Sequence, residues 1–448
     1  MRLYDKELST FEAGEETVNL IKTALPKLFD YGSIYIVGSV STAMLSWYSQ
    51  DAVSAVNVAL QVLNLIIILF NIILTGGNFT LSFELGRNNR KTAGEIVGTA
   101  FCIDVLLAAV LGAVLFFMSH QVAEMMNLQG EVCNMASQYL KMCAIFLPVT
   151  VLVSFFVTVL ICTGHSLQAC SISAINNIVN IILCYVALYS GWGVMPSGVV
   201  GVAAARIAAQ AVALLAGVCM YTYGRCPFKL CFKPSMFRRI IKIGLPGGMC
   251  SVSYNFAQTI TTAIIATFGT LIINSKVYYT NILCYVPVIS VSIGFAGGIL
   301  IGRYKAVGDY KSIKELCAQN LRLTILINLS LTILIYIFRK QLLSIFTDDA
   351  FIIELAGRIM LIDIFVELGR AMNNVFENAY CACGDVKTTM IVSICSCWLG
   401  SVLLTYILGV HLGWGLVGCW IAFAADELFK ATIYLLRWKT GRWMRFDL

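Results

Sequence analysis

Leu20-Ile21-Lys22-Thr23-Ala24-Leu25-Pro26 and Ile240-Ile241-Lys242-Ile243-Gly244-Leu245-Pro246 are one motif written twice in this chain. Each opens a long apolar run. Three more landmarks repeat in the same order. Leu85-Gly86-Arg87 matches Ile301-Gly302-Arg303, Thr163-Gly164-His165 matches Cys383-Gly384-Asp385, and Val200-Gly201-Val202 matches Val417-Gly418-Cys419. The offsets are 220, 216, 220 and 217 positions. One match would be chance; four in register point to a duplicated half. Two similar bundles facing each other across a cleft are the architecture of secondary carriers.

Composition places both halves in a bilayer. The chain has 448 residues, 59% hydrophobic and 12% charged. Apolar runs of about twenty residues recur along the whole length, each long enough to cross a hydrocarbon core. The first nineteen residues are polar, with Glu7, Glu12, Glu15 and Glu16. That is not the basic-then-apolar pattern of a cleaved leader, so the first span is expected to stay in the mature protein. The net charge of +7 is carried by loops, so nucleic-acid binding is not expected. Seventeen cysteines are scattered through the spans as small fillers rather than paired as a disulfide framework. Cys381-x-Cys383 and Cys395-x-Cys397 have apolar flanks and no further ligand at zinc spacing, so no metal site is expected.

The reading is an all-α integral membrane protein of twelve transmembrane helices in two parallel-repeat six-helix bundles. The spans fall at about 24–48, 53–83, 93–118, 138–163, 168–190, 198–223, 241–270, 277–302, 317–338, 351–381, 387–410 and 414–437. The runs are continuously apolar rather than alternating, which favours helices over a barrel. Residues 1–224 form the first bundle, 225–239 a cytoplasmic linker and 240–448 the second bundle. Cations collect in alternate loops, at Arg87, Arg90 and Lys91, Arg225 to Arg239, Arg303 to Lys314, Lys387, and Arg437 to Arg445. The positive-inside rule then puts both termini in the cytoplasm of a multi-pass inner-membrane protein. Trp47, Trp192 and Trp414 are expected at the outer interface, Trp438 and Trp443 at the inner one.

Lipid offers no hydrogen bonds, so polar residues inside spans face protein or water. The tenth span is the densest. Asp363, Glu367, Arg370, Asn374 and Glu377 recur at steps of three and four, on one helical face. They read equally as a titratable or substrate-contacting cluster and as an ion pair holding the helix to its neighbours. In the second span Asn57, Asn64, Asn71 and Asn78 recur every seven residues, with Gln61 between the first two; they form a stripe. The stripe either lines a cleft or glues helices together at roughly 0.6–2 kcal/mol per bond. The fifth span carries Asn176, Asn177 and Asn180, the last span Asp426, Glu427 and Lys430. Asp30, Asp104 and Arg206 stand alone. The three histidines fall in loops. No phosphate-cradling loop or catalytic set is present, so neither an enzyme nor an ATP-driven pump is expected.

These landmarks together resemble the MATE multidrug and toxin extrusion family. Leu25-Pro26, Gly86-Arg87, the Gly164 turn, Asn176 to Asn180 and Gly198-Val199-Val200-Gly201-Val202-Ala203-Ala204 carry the resemblance. Pro246, Gly302, Gly384-Asp385 and Val417-Gly418 repeat it. The stretch Glu367-Leu368-Gly369-Arg370 looks closest to the bacterial branch related to DinF and NorM. The resemblance implies a V-shaped pair of bundles and H+- or Na+-driven antiport, without cofactor, of small organic and mostly cationic molecules, by a monomer in the lipid bilayer. Ser41 and Cys184 stand where many members carry aspartates. The seventh-span acid of sodium-coupled relatives falls near Tyr254 and Asn255, and their tenth-span acid aligns at Arg370. The expected coupling residues are therefore Glu367, Asp363 and Glu377, with Asp30 in reserve; Asn57, Asn64, Asn177 and Asn180 complete the candidate cleft. A lipid-linked oligosaccharide flippase of the same superfamily is the alternative. It would need more intramembrane cations than Arg206, Arg370 and Lys430.

Overall fold

The computed structural model describes residues 13–126, 130–189, 198–344, 347 and 349–446. Trp192 and the amino-terminal acids up to Glu12 lie outside the described residues. Every regular element among the described residues is helical. The first helices are α1 (Ala13–Tyr48), α2 (Gln50–Gly86) and α3 (Arg90–Met125). α4 (Gly130–Ile145) and α5 (Leu147–Cys162) follow as one span bent by 56°. Pro148 sits in the first turn of α5, where its missing N–H costs nothing but the ring forbids a straight continuation. α6 (Ser166–Tyr189) and α7 (Gly198–Tyr223) complete the first six passages.

The second six start with α8 (Pro234–Ala266). α9 (Thr270–Leu283) and α10 (Tyr285–Val307) share one passage, broken just before Pro287. α11 (Tyr310–Ile337), the short α12 (Arg339–Ser344) and the long α13 (Ala350–Cys383) come next. α14 (Val386–Ser396) widens into two π-helical stretches, Cys397–Leu403 and Tyr406–His411. α15 (Gly415–Lys439) closes the set, followed by one 3-10 turn at Arg442–Arg445.

Eight passages are apolar enough to cross a membrane by composition alone, the bent pair counted as one. The other four, α1, α8, α13 and α15, are 36, 33, 34 and 25 residues long. α13 and α15 carry the buried ionisable residues Asp363, Glu367, Asp426, Glu427 and Lys430, which lower their hydropathy.

The described chain divides into two compact units, Pro26–Leu245 and Met1–Leu25 with Pro246–Leu448. Both divisions fall inside the repeated Leu-Pro motif. The segment 225–245 therefore belongs to the unit of the first six passages. It is tied there by Arg239 to Glu84 at 2.7 Å and by Lys229 and Lys233 to Glu95 at 3.1 and 2.6 Å.

The duplicated landmarks are duplicated geometry. Gly164 and Gly384 both have φ of 88°, the left-handed region that a residue without Cβ enters freely. In each case the next amide reaches back five residues to close the helix. His165 N donates to Leu160 O at 2.8 Å, and Asp385 N to Tyr380 O at 2.9 Å. This is the Schellman pattern of a helix C-terminus. Gly86-Arg87 ends α2 as expected, but α10 runs past Gly302-Arg303 to Val307 and stops at left-handed Gly308. At the carboxy-terminal end, Trp438 and Trp443 do not form an interfacial belt. They stack at 4.3 Å and are 8% and 0% exposed.

Candidate functional site

Ionisable residues of α13 and α15 in the second unit form one buried network. Glu367 is 1% exposed and bonds Arg370 one turn along α13. Its other oxygen accepts from Asn328 Nδ2 of α11 at 3.3 Å. Asp363, one turn earlier and fully buried, accepts from the Tyr279 hydroxyl of α9. On α15, Lys430 Nζ lies 3.4 Å from Glu427 and 3.8 Å from Asp426. Asn373 of α13 donates to Glu427 Oε2 at 2.7 Å and to its backbone oxygen at 2.9 Å, joining the two helices.

Asp426 shows why α14 becomes π-helical. Ser396 and Ser401 both donate to its carboxylate, one to each oxygen. Residues five apart lie on different faces of an α-helix, which turns 100° per residue. The wider turn over Cys397–Leu403 brings the two hydroxyls onto one carboxylate. Such π insertions are frequent at functional sites.

The single polar face expected on the tenth span is divided among three neighbours. Glu377 accepts from Ser393 Oγ of α14 at 2.7 Å and from the Tyr434 hydroxyl of α15 at 3.2 Å. Asn374 turns to α10 and donates to Ser290 Oγ at 2.8 Å, outside the acid cluster. Tyr254 of α8 lies within electrostatic reach of Arg370, Glu427 and Lys430. Asn255 is exposed and donates to Ser251 O of its own helix at 2.8 Å, so it does not join the network.

In the first unit Asp30 is paired rather than free. Lys27 Nζ is 3.0 Å away, and Ser173 Oγ of α6 donates to Asp30 at 2.8 Å. Asn177 Nδ2 donates to Ser33 Oγ at 2.6 Å, a second tie between α1 and α6. Asn180 accepts from Cys184 Sγ at 3.1 Å, and Ser41 also bonds that thiol. The asparagine stripe of α2 splits. Asn57, Gln61, Asn64 and Asn71 are exposed, and only Asn78 is buried, accepting from Cys162 Sγ at 2.6 Å. Gluing helices together is therefore the role of Asn78 alone; the other amides at span depth need water or solute to satisfy them.

Several network members were not singled out in the sequence. Asn328 belongs to a second stripe, Asn320, Thr324, Asn328 and Thr332 at steps of four, all within 1% of full burial. That spacing was a readable signal. Tyr279, Ser393 and Tyr434 carry none, because their hydroxyls matter only through contacts between distant helices.

Repeated sets of membrane-length helices, with carboxylates and cations buried among them, define a polytopic membrane transporter. The MatE family model matches residues 26–186 and again 246–407; both copies begin at the repeated proline, and the chain belongs to the MatE family. It is 29% identical over 446 residues to the uncharacterized transporter YisQ of Bacillus subtilis (strain 168), covering 98% of each chain. It is 24% identical over 449 residues to the probable multidrug resistance protein NorM of Thermotoga maritima, covering 98% of this chain and 96% of that one. Among solved structures, an outward-facing multidrug resistance MATE family transporter of the MOP superfamily superposes with a TM-score of 0.86. It is 17% identical and 96% of each chain is covered. A MOP superfamily transporter from Pyrococcus furiosus superposes with a TM-score of 0.86 at 16% identity over 95% of each chain. The twelve-helix fold read from the sequence is the fold of this family.

Proposed function

We propose that this transporter is a secondary active exporter that exchanges H+ or Na+ for small organic cations. The observation that carries this reading is the charge imbalance of the buried network. Asp363, Glu367, Glu377, Asp426 and Glu427 surround only two cations, Arg370 and Lys430. With every carboxyl ionised, three negative charges would stand without a counter-charge at span depth, where each is costly. A proton, a sodium ion or a cationic solute supplies the missing charge. Ligands that need the same carboxylates displace one another, which is the physical requirement for exchange. The neutral donors around the carboxyls, Asn328, Ser393, Ser396, Ser401, Tyr279 and Tyr434, hold their geometry in either state. The exposed amides of α2 give a hydrated solute further partners. The loop cations support an orientation with both termini in the cytoplasm of a bacterial-type inner membrane, and a single chain carries both units.

The test is flux through proteoliposomes of purified protein with imposed pH or sodium gradients, against a panel of cationic dyes. Dye export is expected to follow one of the two gradients and to collapse when it is dissipated. Export at the same rate with neither gradient present would overturn the reading.

A further inference from the structure

Arg206 has no part in the exchange described above. It lies on α7, about 12 Å along the helix axis from Gly198. It is half-buried where α7 packs on α4 and α6. Among the described residues, the groups that act on its guanidinium are Tyr139 and Cys143 of α4 and Cys184 of α6, and the Tyr139 phenol is a hydrogen-bond partner. None of these is a carboxylate. Arginine stays charged in proteins and carries five N–H donors in a planar fork. One phenol oxygen uses a small part of that capacity.

A cavity inside the same unit opens on this guanidinium. Its walls include Leu63, Ile67 and Ile207, and its polar groups are Thr150, Gln210 and Arg206. Thr150 Oγ1 donates to Gln210 Oε1 at 2.6 Å. That bond fixes the amide with its oxygen occupied and leaves its nitrogen as a donor. The pocket thus joins a cation, an amide donor and apolar walls, with no acid among its lining residues; the acids of the packed helices α4 and α2, Glu131, Asp51 and Glu84, are none of the groups that act on Arg206.

We propose that this pocket binds a small anionic group, with Arg206 as counter-charge and Gln210 as second donor. The shared chemistry is that of a carboxylate on a transported molecule or a free halide. A carboxylate can be taken bidentately by the guanidinium fork, and either anion offsets the cost of holding a cation at span depth. The site goes beyond the exchange reading and needs no gradient.

The test is thermal unfolding of the purified full chain in detergent with sodium chloride, sodium acetate or bulky sodium isethionate at equal ionic strength. Relative to isethionate, acetate is expected to raise the Tm of wild type by about 2 °C or more and to leave Arg206→Gln unchanged. A matching rise with chloride assigns the site to free halide as well; a rise with acetate alone assigns it to a carboxylate. Equal Tm in all three salts, or the same rise in Arg206→Gln, would overturn the proposal. Should Arg206→Gln not fold, Arg206→Lys keeps the charge but loses the fork. It is then expected to show less than half the acetate effect, and a full-sized effect would overturn the bidentate assignment.

Discussion

Arg370 donates to Glu367 across one turn of α13, yet the two differ sharply in access: the carboxylate side chain is 1% exposed and the guanidinium 25%. The cation is the accessible half of the pair. Glu367→Gln keeps the shape and can still accept from Asn328, so the protein is expected to fold and elute as wild type. Gradient-driven export should fall to the level of empty vesicles. Arg370→Ala is expected to do something different. It leaves a buried carboxylate without its cation, a loss of about 3–5 kcal/mol, and it should displace the pH profile of transport. Flux and thermal unfolding of both variants check this; wild-type flux in Glu367→Gln would remove that residue from the mechanism.

Gly76 of α2 and Gly244 of α8 meet backbone to backbone. A Cβ on Gly76 would lie 2.0 Å from Ile240 O, and one on Gly244 would lie 1.9 Å from Ile72 O. Neither obstacle is a side chain that can swing away. Gly244→Ala and Gly76→Ala are each expected to cost about 1–3 kcal/mol or more through overpacking. Because both act on one crossing, the double variant should cost less than the sum of the singles. Thermal unfolding of the three variants measures it.

The duplication, the helix count and the richest polar span were legible in the sequence because each is a periodic or repeated signal. Pro26 and Pro246 even mark the positions where the two units divide. The network on α15 was only half legible. Asp426 and Lys430 are four apart and read as a pair, yet Glu427 lies nearer to the lysine, and Asp426 is held mainly by serines across a π-helical stretch. No composition rule foresees that widened turn, since it depends on the register of α14 against α15. Asn374 shows the converse error. Its spacing placed it with the acids, but the helix turns it toward Ser290. The amides of α2 were legible as a stripe, while their exposure depended on which neighbours α2 has.

The segment 225–239 is fastened by side chains from α2 and α3. Arg239 holds Glu84, whose side chain is 5% exposed, and Lys229 and Lys233 share Glu95, also 5% exposed. The backbone adds one tie, Lys229 N to Gly94 O at 3.1 Å. Both lysines are well exposed, so their contacts alone contribute little. Glu84→Gln with Glu95→Gln removes all three ion pairs. Trypsin is then expected to cut after Lys229 several times faster than in wild type, with the helical content unchanged; Lys233 precedes Pro234 and is not a cleavage site. Equal cleavage rates would mean that the backbone and aromatic packing suffice.

Asp385 follows the left-handed Gly384 and is 1% exposed. Arg437 of α15 donates to its Oδ2 through two nitrogens, both at 2.8 Å, and Thr388 donates to Oδ1 at 2.8 Å. The pair pins the turn after α13 to the end of α15. Asp385→Asn keeps the volume and the Thr388 bond but strands Arg437. It is expected to cost about 3 kcal/mol, read as a lowered unfolding temperature, while Thr388→Ala should cost no more than about 1 kcal/mol.

The matching position in the first half is His165, which makes no ion pair. Its Nδ1 lies 3.3 Å from Thr163 Oγ1 and 3.7 Å from Cys226 Sγ. Burial in this turn lowers its pKa below the ordinary histidine value of 6.5. The unfolded chain therefore takes up its proton first as the pH falls. The stability His165 confers is present above about pH 6.5 and is lost as the pH drops through the folded value. His165→Gln cannot titrate, so its unfolding temperature should fall less than that of wild type between pH 7.5 and pH 5, each value being roughly one unit or more from the ordinary histidine midpoint. An identical decline in both proteins would assign the acid sensitivity to other groups and leave this turn a neutral copy of the one at Asp385.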